Sequence, residues 1–202
     1  MKKRGDTLKM RNEKEMYQLI IGMAKDDKRI KAVYMNGSRT NKNAEKDIFQ
    51  DYDVVYVVTD TQPFIDDKEW INKFGDIWFM QYPDENPDYP SDKENFYGWL
   101  MQFKDGNRVD LHVESIAHAK EHITDDKLCK ILLDKDNILP DTPEATDEDY
   151  YVFRMTCLFS VKARKLTQEL GYVYNEAEEQ ACMEFLNTVY SLPKDTIEIV
   201  KE

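Results

Sequence analysis

Long apolar runs are missing from this chain of 202 residues. None approaches the ~18 residues that a membrane-spanning helix needs, so no membrane partner is expected. The basic start, Met1-Lys-Lys-Arg-Gly-Asp6, has no apolar stretch behind it, which argues against a signal peptide. Cysteine is scarce: Cys129, Cys157 and Cys182 are odd in number and lack metal-ligand spacing. They read as reduced, mostly packed thiols of a cytoplasmic protein. Positive charge is short as well. The chain sets 28 Lys and Arg against 40 Asp and Glu, for a net charge of −12. That is the opposite of the basic footprint a nucleic-acid partner would require. Clefts rich in carboxylates concentrate cations, which favours a cationic small molecule, although acidity for solubility alone is common.

Hydrophobic residues make up 41% of the chain, enough for one good core with a smaller appendage. Met16, Leu19, Ile20 and Met23 recur at helical spacing, and Asn12 with Glu15 resembles a capping box, so residues 12–28 are expected to be a helix. Residues 31–36 and the β-branched run 53–59 read as strands, separated by a polar loop over 41–50. Pro63 opens an expected helix that runs to Phe74 and ends at Gly75. A strand over 77–82 and a loop holding Pro83, Pro87 and Pro90 follow. Asp105-Gly106 between two strand-like runs, 95–104 and 108–114, signals a hairpin. In its second arm, Val109, Leu111 and Val113 share one face, and Asp110, His112 and Glu114 the other. Residues 115–124 and 125–133 read as helical, 134–149 as a connector, and 150–170 and 175–192 as two helices around Gly171. No internal repeat or low-complexity segment is present. The fold class is α+β: a mixed β-sheet with flanking helices over residues 1–140, then a connector and short helical C-terminal region over 141–202.

The stretch around which the rest is arranged is Asn36-Gly37-Ser38-Arg39 followed by Phe49-Gln50-Asp51-Tyr52-Asp53. An apolar run ends in a small-residue turn, and a second apolar run opens with two aspartates one residue apart. On a strand Asp51 and Asp53 point the same way. Two carboxylates side by side repel each other unless a cation sits between them. Hard oxygen ligands of this kind suit Mg²⁺, which is usually held by one or two carboxylates together with substrate phosphates. Gly37 lets a phosphate approach the backbone, Ser38 offers a hydroxyl, and Arg39 is placed to meet a phosphate oxygen.

The ordered set of helix, strand, Gly-Ser, loop, Asp-x-Asp strand, helix and strand resembles the nucleotidyltransferase superfamily. That resemblance implies a third carboxylate on a later strand, which would be Asp110. It would complete a metal site or take the proton from an attacking hydroxyl, and the sequence leaves both roles open. Longer strings resemble the aminoglycoside 6-adenylyltransferases: Met10-Arg-Asn-Glu-Lys14, Asn36-Gly-Ser-Arg39, Phe49-Gln-Asp-Tyr-Asp53, Val109-Asp-Leu111, Leu132-Leu-Asp-Lys-Asp136 and Thr146-Asp-Glu-Asp-Tyr-Tyr151. The resemblance implies transfer of AMP from ATP to a hydroxyl of streptomycin, with Mg²⁺, as an antibiotic-resistance activity. It also implies a long helical segment after Tyr151, where this sequence is shorter.

Other readings stand beside this one. The acceptor could be a protein, as in toxin–antitoxin systems, or the chain could bind nucleotide without turnover. His112 reads as site-adjacent or solvated. His118 and His122, at i, i+4 spacing, read as a solvated face rather than a metal pair. Trp70, Trp78 and Trp99 read as core. The acidic run 141–149 reads as a solvated connector. The sequence leaves the oligomeric state open.

Overall fold

The structure is a computed structural model that describes residues 9–44, 46, 50–88 and 90–146. Its centre is a six-stranded sheet in the order β3-β4-β5-β2-β1-β6. The strands are β1 (Ile30–Asn36), β2 (Tyr52–Val58), β3 (Ile77–Gln81), β4 (Phe96–Phe103), β5 (Arg108–Ser115) and β6 (Cys129–Asp134). Neighbours are antiparallel except β2 and β5, which run parallel. The sheet is therefore mixed, and with its helices the α+β class holds.

Helix α1 (Glu13–Asp26) forms where the apolar spacing indicated, and its N-terminus is fully capped. Asn12 accepts from the Glu15 backbone N–H at 3.0 Å, and Glu15 accepts from that of Asn12 at 2.7 Å. Its buried stripe of Met16, Ile20 and Ala24 packs on one face of the sheet. That face carries Val33 and Met35 of β1, Val54 and Tyr56 of β2, Val109, Leu111 and Val113 of β5, and Trp99 and Met101 of β4. The other face holds a smaller cluster, with Tyr34, Val55 and Val57 under Ala119 and Ile123. Helix α3 (Ile116–His122) supplies Ala119 and is capped by Ser115. Both faces of β2 are covered, a burial its β-branched composition suits.

The helix expected over 63–74 is broken in two. Helix α2 (Gln62–Asp66) stops at Asp67, whose ψ of 83° leaves the helical region, and a separate 3₁₀ turn spans Trp70–Phe74. The Trp70 indole N–H donates to the Phe64 carbonyl at 2.9 Å, folding the second piece back on the first. Residues 125–133 are not helical as expected: β6 forms there and pairs with the outer side of β1. A short apolar run bounded by acids has no period long enough to separate the two states. Trp70 and Trp99 are core, but Trp78 is 46% exposed. It lies at an irregularity on the edge strand β3, between Ile77 and Phe79, which turns it out of the packed face. Among the described residues no helix is long and apolar enough to cross a membrane. The two helices expected beyond residue 150, with Cys157 and Cys182, lie outside the described residues.

Candidate active site

Strand β1 runs out at Asn36, and the chain turns sharply at Gly37, whose φ is 76°. A Cβ at Gly37 would collide with the Asp53 carboxylate, so this turn requires glycine for both conformation and space. Ser38–Thr40 forms a 3₁₀ turn, closed by the Thr40 hydroxyl donating to the Gly37 carbonyl at 2.8 Å. Gln50 donates its side-chain N–H to the Ser38 hydroxyl at 3.3 Å, joining the two ends of the polar loop.

Arg39, expected to meet a phosphate oxygen, makes its described contacts within the protein. Its side chain is only 9% exposed and lies over the Tyr52 ring, 3.7 Å from the centroid. It donates to the Gln50 carbonyl at 2.6 Å and to the Asp51 carbonyl at 2.7 Å. Arg39 thus braces the backbone that delivers Asp51.

Asp53 opens β2, and the parallel pairing places it directly beside Asp110 on β5. A single rung of the sheet reads Cys129, Asn36, Asp53, Asp110, Leu100, Gln81. Residues paired in a rung point to one face, so Asp53 and Asp110 stand together beyond the apolar cluster around Val55. Asp51 joins them: one oxygen from each of the three carboxylates lies within 4.8 Å of the others. Burial, then the charges of Asp51 and Asp110, pushes the Asp53 carboxyl up to about 7. Burial and the charge of Asp110 also raise that of Asp51.

The nearest compensating cation is Arg108, which the sequence reading passed over. It grips Asp110 with two hydrogen bonds of 2.8 and 2.7 Å and comes within 3.8 Å of Asp51. Its position two residues before Asp110 on one strand was the available signal. Arg108, helped by a smaller effect of Arg39 on Asp51, does not offset three clustered carboxylates, and the carboxyls of Asp51 and Asp53 stay raised. Hard oxygen donors that repel one another fit a divalent cation of the Mg²⁺ kind.

The sequence model of the streptomycin adenylyltransferase family matches residues 10–154, a span that includes the turn, all three carboxylates and the whole described sheet. The chain belongs to that family. Curated aminoglycoside 6-adenylyltransferases from Campylobacter jejuni, Bacillus subtilis and Staphylococcus aureus are 41%, 37% and 35% identical to it. Each match covers 73% of this chain, and 51%, 52% and 52% of the respective relative. The chain therefore spans about half the length of these relatives. A crystal structure of an aminoglycoside 6-adenyltransferase from Bacillus subtilis superposes with a TM-score of 0.54 at 30% identity, covering 66% of this chain and 44% of that one.

Around the carboxylates, this member of the streptomycin adenylyltransferase family is less solvated than its sequence suggests. His112 lies on the Asp110 face of β5 and is half-buried rather than fully solvated. Phe96 stacks on it at 4.6 Å between ring centroids, and Gly98 lies so close that any Cβ there would strike the imidazole. Burial lowers its pKa. Glu114, on the supposed polar face, is 1% exposed. It accepts from the Tyr34 hydroxyl at 2.5 Å and contacts His118 Nδ1 at the same distance. His118 is thus half-buried and paired, whereas His122 lies on the solvated surface and contacts Asp125 at 2.8 Å. Glu144 of the acidic connector pairs with Lys42.

Proposed function

We propose that this domain holds ATP with a divalent cation and transfers AMP to a hydroxyl of an aminoglycoside, streptomycin first. One observation carries the reading. Asp51, Asp53 and Asp110 converge beside the Gly37 turn in a chain of the streptomycin adenylyltransferase family. Nucleotidyl transfer needs little covalent help from a protein and much positioning and charge compensation, which such a site supplies.

Asp51, Asp53 and Asp110 would hold Mg²⁺, which when bound would supply positive charge to offset that of the nucleotide's phosphates as pyrophosphate departs. Gly37 admits a phosphate oxygen close to the backbone, and the Ser38 hydroxyl donates to it. Arg39 keeps Asp51 in place from below. The acceptor oxygen forms a bond to the α-phosphorus as the bond to the pyrophosphate oxygen breaks. Asp110 takes the acceptor's proton, and Arg108 must loosen its grip on that carboxylate for this to happen. The acidic balance of the chain suits a polycationic acceptor.

The test is incubation of the purified chain with α-labelled ATP, Mg²⁺ and streptomycin. Label on the drug with equimolar pyrophosphate is the expected result. Label on protein instead would point to a macromolecular acceptor. ATP binding without pyrophosphate release, for any acceptor offered, would point to a nucleotide-binding domain without turnover.

A further inference from the structure

Asn36 is fixed on the sheet from both sides. It stands opposite Asp53 of β2 and opposite Cys129 of β6. Its side chain therefore projects from the same face as Asp53 and Asp110, one strand away from the first and two from the second. Its amide oxygen is closed off from solvent and has no hydrogen-bond partner, and it is the one side-chain atom of that kind among the described residues. Earlier residues of β1 on this face, Ala32 and Tyr34, sit in the apolar cluster, and the Tyr34 hydroxyl is satisfied by Glu114.

A buried acceptor without a donor is a standing cost, and native proteins show few of them. The oxygen is closed to solvent in this packing, so a donor for it would have to come with a ligand that shifts the side chains around it. The nearby arginines are engaged elsewhere: Arg108 on Asp110 and Asp51, Arg39 on two backbone carbonyls. Ionised carboxylates and phosphate oxygens accept and cannot fill the role, and Asp53 could donate only while it holds a proton, which a bound cation would displace. What a hard cation at Asp53 would bring is water. Ions of the Mg²⁺ type keep several bound waters, and those waters donate outward.

We propose that Asn36 is a positioning residue for the metal site, its Oδ1 accepting a hydrogen bond from a water bound to the divalent cation held by Asp51, Asp53 and Asp110. The proposal rests on reading that triad as the metal site. Loss of an outer partner of this kind weakens metal binding by roughly 10- to 100-fold.

The experiment uses Mn²⁺ as probe, titrated calorimetrically into the full chain without nucleotide, together with thermal unfolding of the same proteins in EDTA. Asn36→Leu is expected to bind Mn²⁺ about tenfold more weakly or worse, while its metal-free Tm equals or exceeds that of the wild type. Asn36→Asp, which keeps an acceptor, is expected to bind Mn²⁺ at least as tightly as wild type, with a lower metal-free Tm because a further carboxylate joins the cluster. Unchanged Mn²⁺ affinity in Asn36→Leu, alongside loss in Asp53→Asn, overturns the role of Asn36 and leaves the metal site standing. A metal-free Tm of Asn36→Leu clearly below wild type also overturns it, since the amide would then have its partner within the protein. If Asp53→Asn itself leaves Mn²⁺ binding unchanged, the metal site fails and the role of Asn36 with it.

Discussion

Asp53 is held against Gly37 and beside two like charges, so its proton links folding to ligand binding. Its folded pKa is raised to about 7 by burial and by Asp51 and Asp110, against ~3.9 in an unfolded chain. Between those values the native state keeps a proton that the unfolded state has lost. The contribution of Asp53 to metal-free stability therefore falls as pH rises from about 4 to about 7 and is level above that. Asp53→Asn, which cannot ionise, is expected to raise the metal-free Tm over wild type most above pH 7 and least near pH 4. Calorimetric unfolding in EDTA across that range checks it, and a Tm difference independent of pH would show that Asp53 titrates normally. The same variant should lose turnover by ~10²-fold or more, since metal and electrostatic contributions are usually of that size. Asp110→Asn separates two roles. If Asp110 takes the proton, kcat should fall with the nucleotide Kd nearly unchanged, and the acidic limb of the pH–rate profile should vanish. A raised Mg²⁺ requirement at near-normal saturated kcat would instead make it a ligand alone.

Among the elements, the β1–β2 connection supplies the largest share of the proposed site. Gly37→Ala introduces a side chain at a φ of 76° and into the Asp53 carboxylate. A cost of about 1–3 kcal/mol is expected from backbone strain, with the site disturbed beyond that. Urea denaturation measures the first and Mn²⁺ affinity the second. A variant as stable as wild type would show that the turn relaxes freely. This connection was also the most legible part of the sequence. Gly37-Ser38 and Asp51-x-Asp53 announce themselves by residue type and spacing, and Asp-Gly marks the β4–β5 hairpin. What sequence could not disclose was decided by distant partners. The run at 129–134 becomes a strand because β1 offers it an edge. Trp78 is exposed because of an irregularity in the β3–β4 register. Arg39 turns inward because Tyr52 and two carbonyls lie within its reach. Glu114 is buried because Tyr34 and His118 close over it.

At the scale of the whole molecule the net charge of −12 has a measurable signature. If the acceptor is a polycation, its affinity should fall steeply with added salt, because exposed charges are screened beyond ~8–10 Å at 0.1–0.15 M. Calorimetry across salt concentrations reads this, and a flat profile would indicate a neutral acceptor. A second property follows from the parallel β2–β5 pair. Asp53 and Asp110 belong to segments separated along the chain by β3 and the whole of β4. A hairpin can close locally in microseconds, but this pairing has to wait for a long loop to be organised, and such topologies fold slowly. The carboxylates should therefore be far apart in any early species in refolding, and metal binding should appear only with the last, cooperative phase. Stopped-flow refolding with Mn²⁺ present would show the native signal and metal uptake rising together, and Mn²⁺ would have little effect on the folding rate while slowing unfolding.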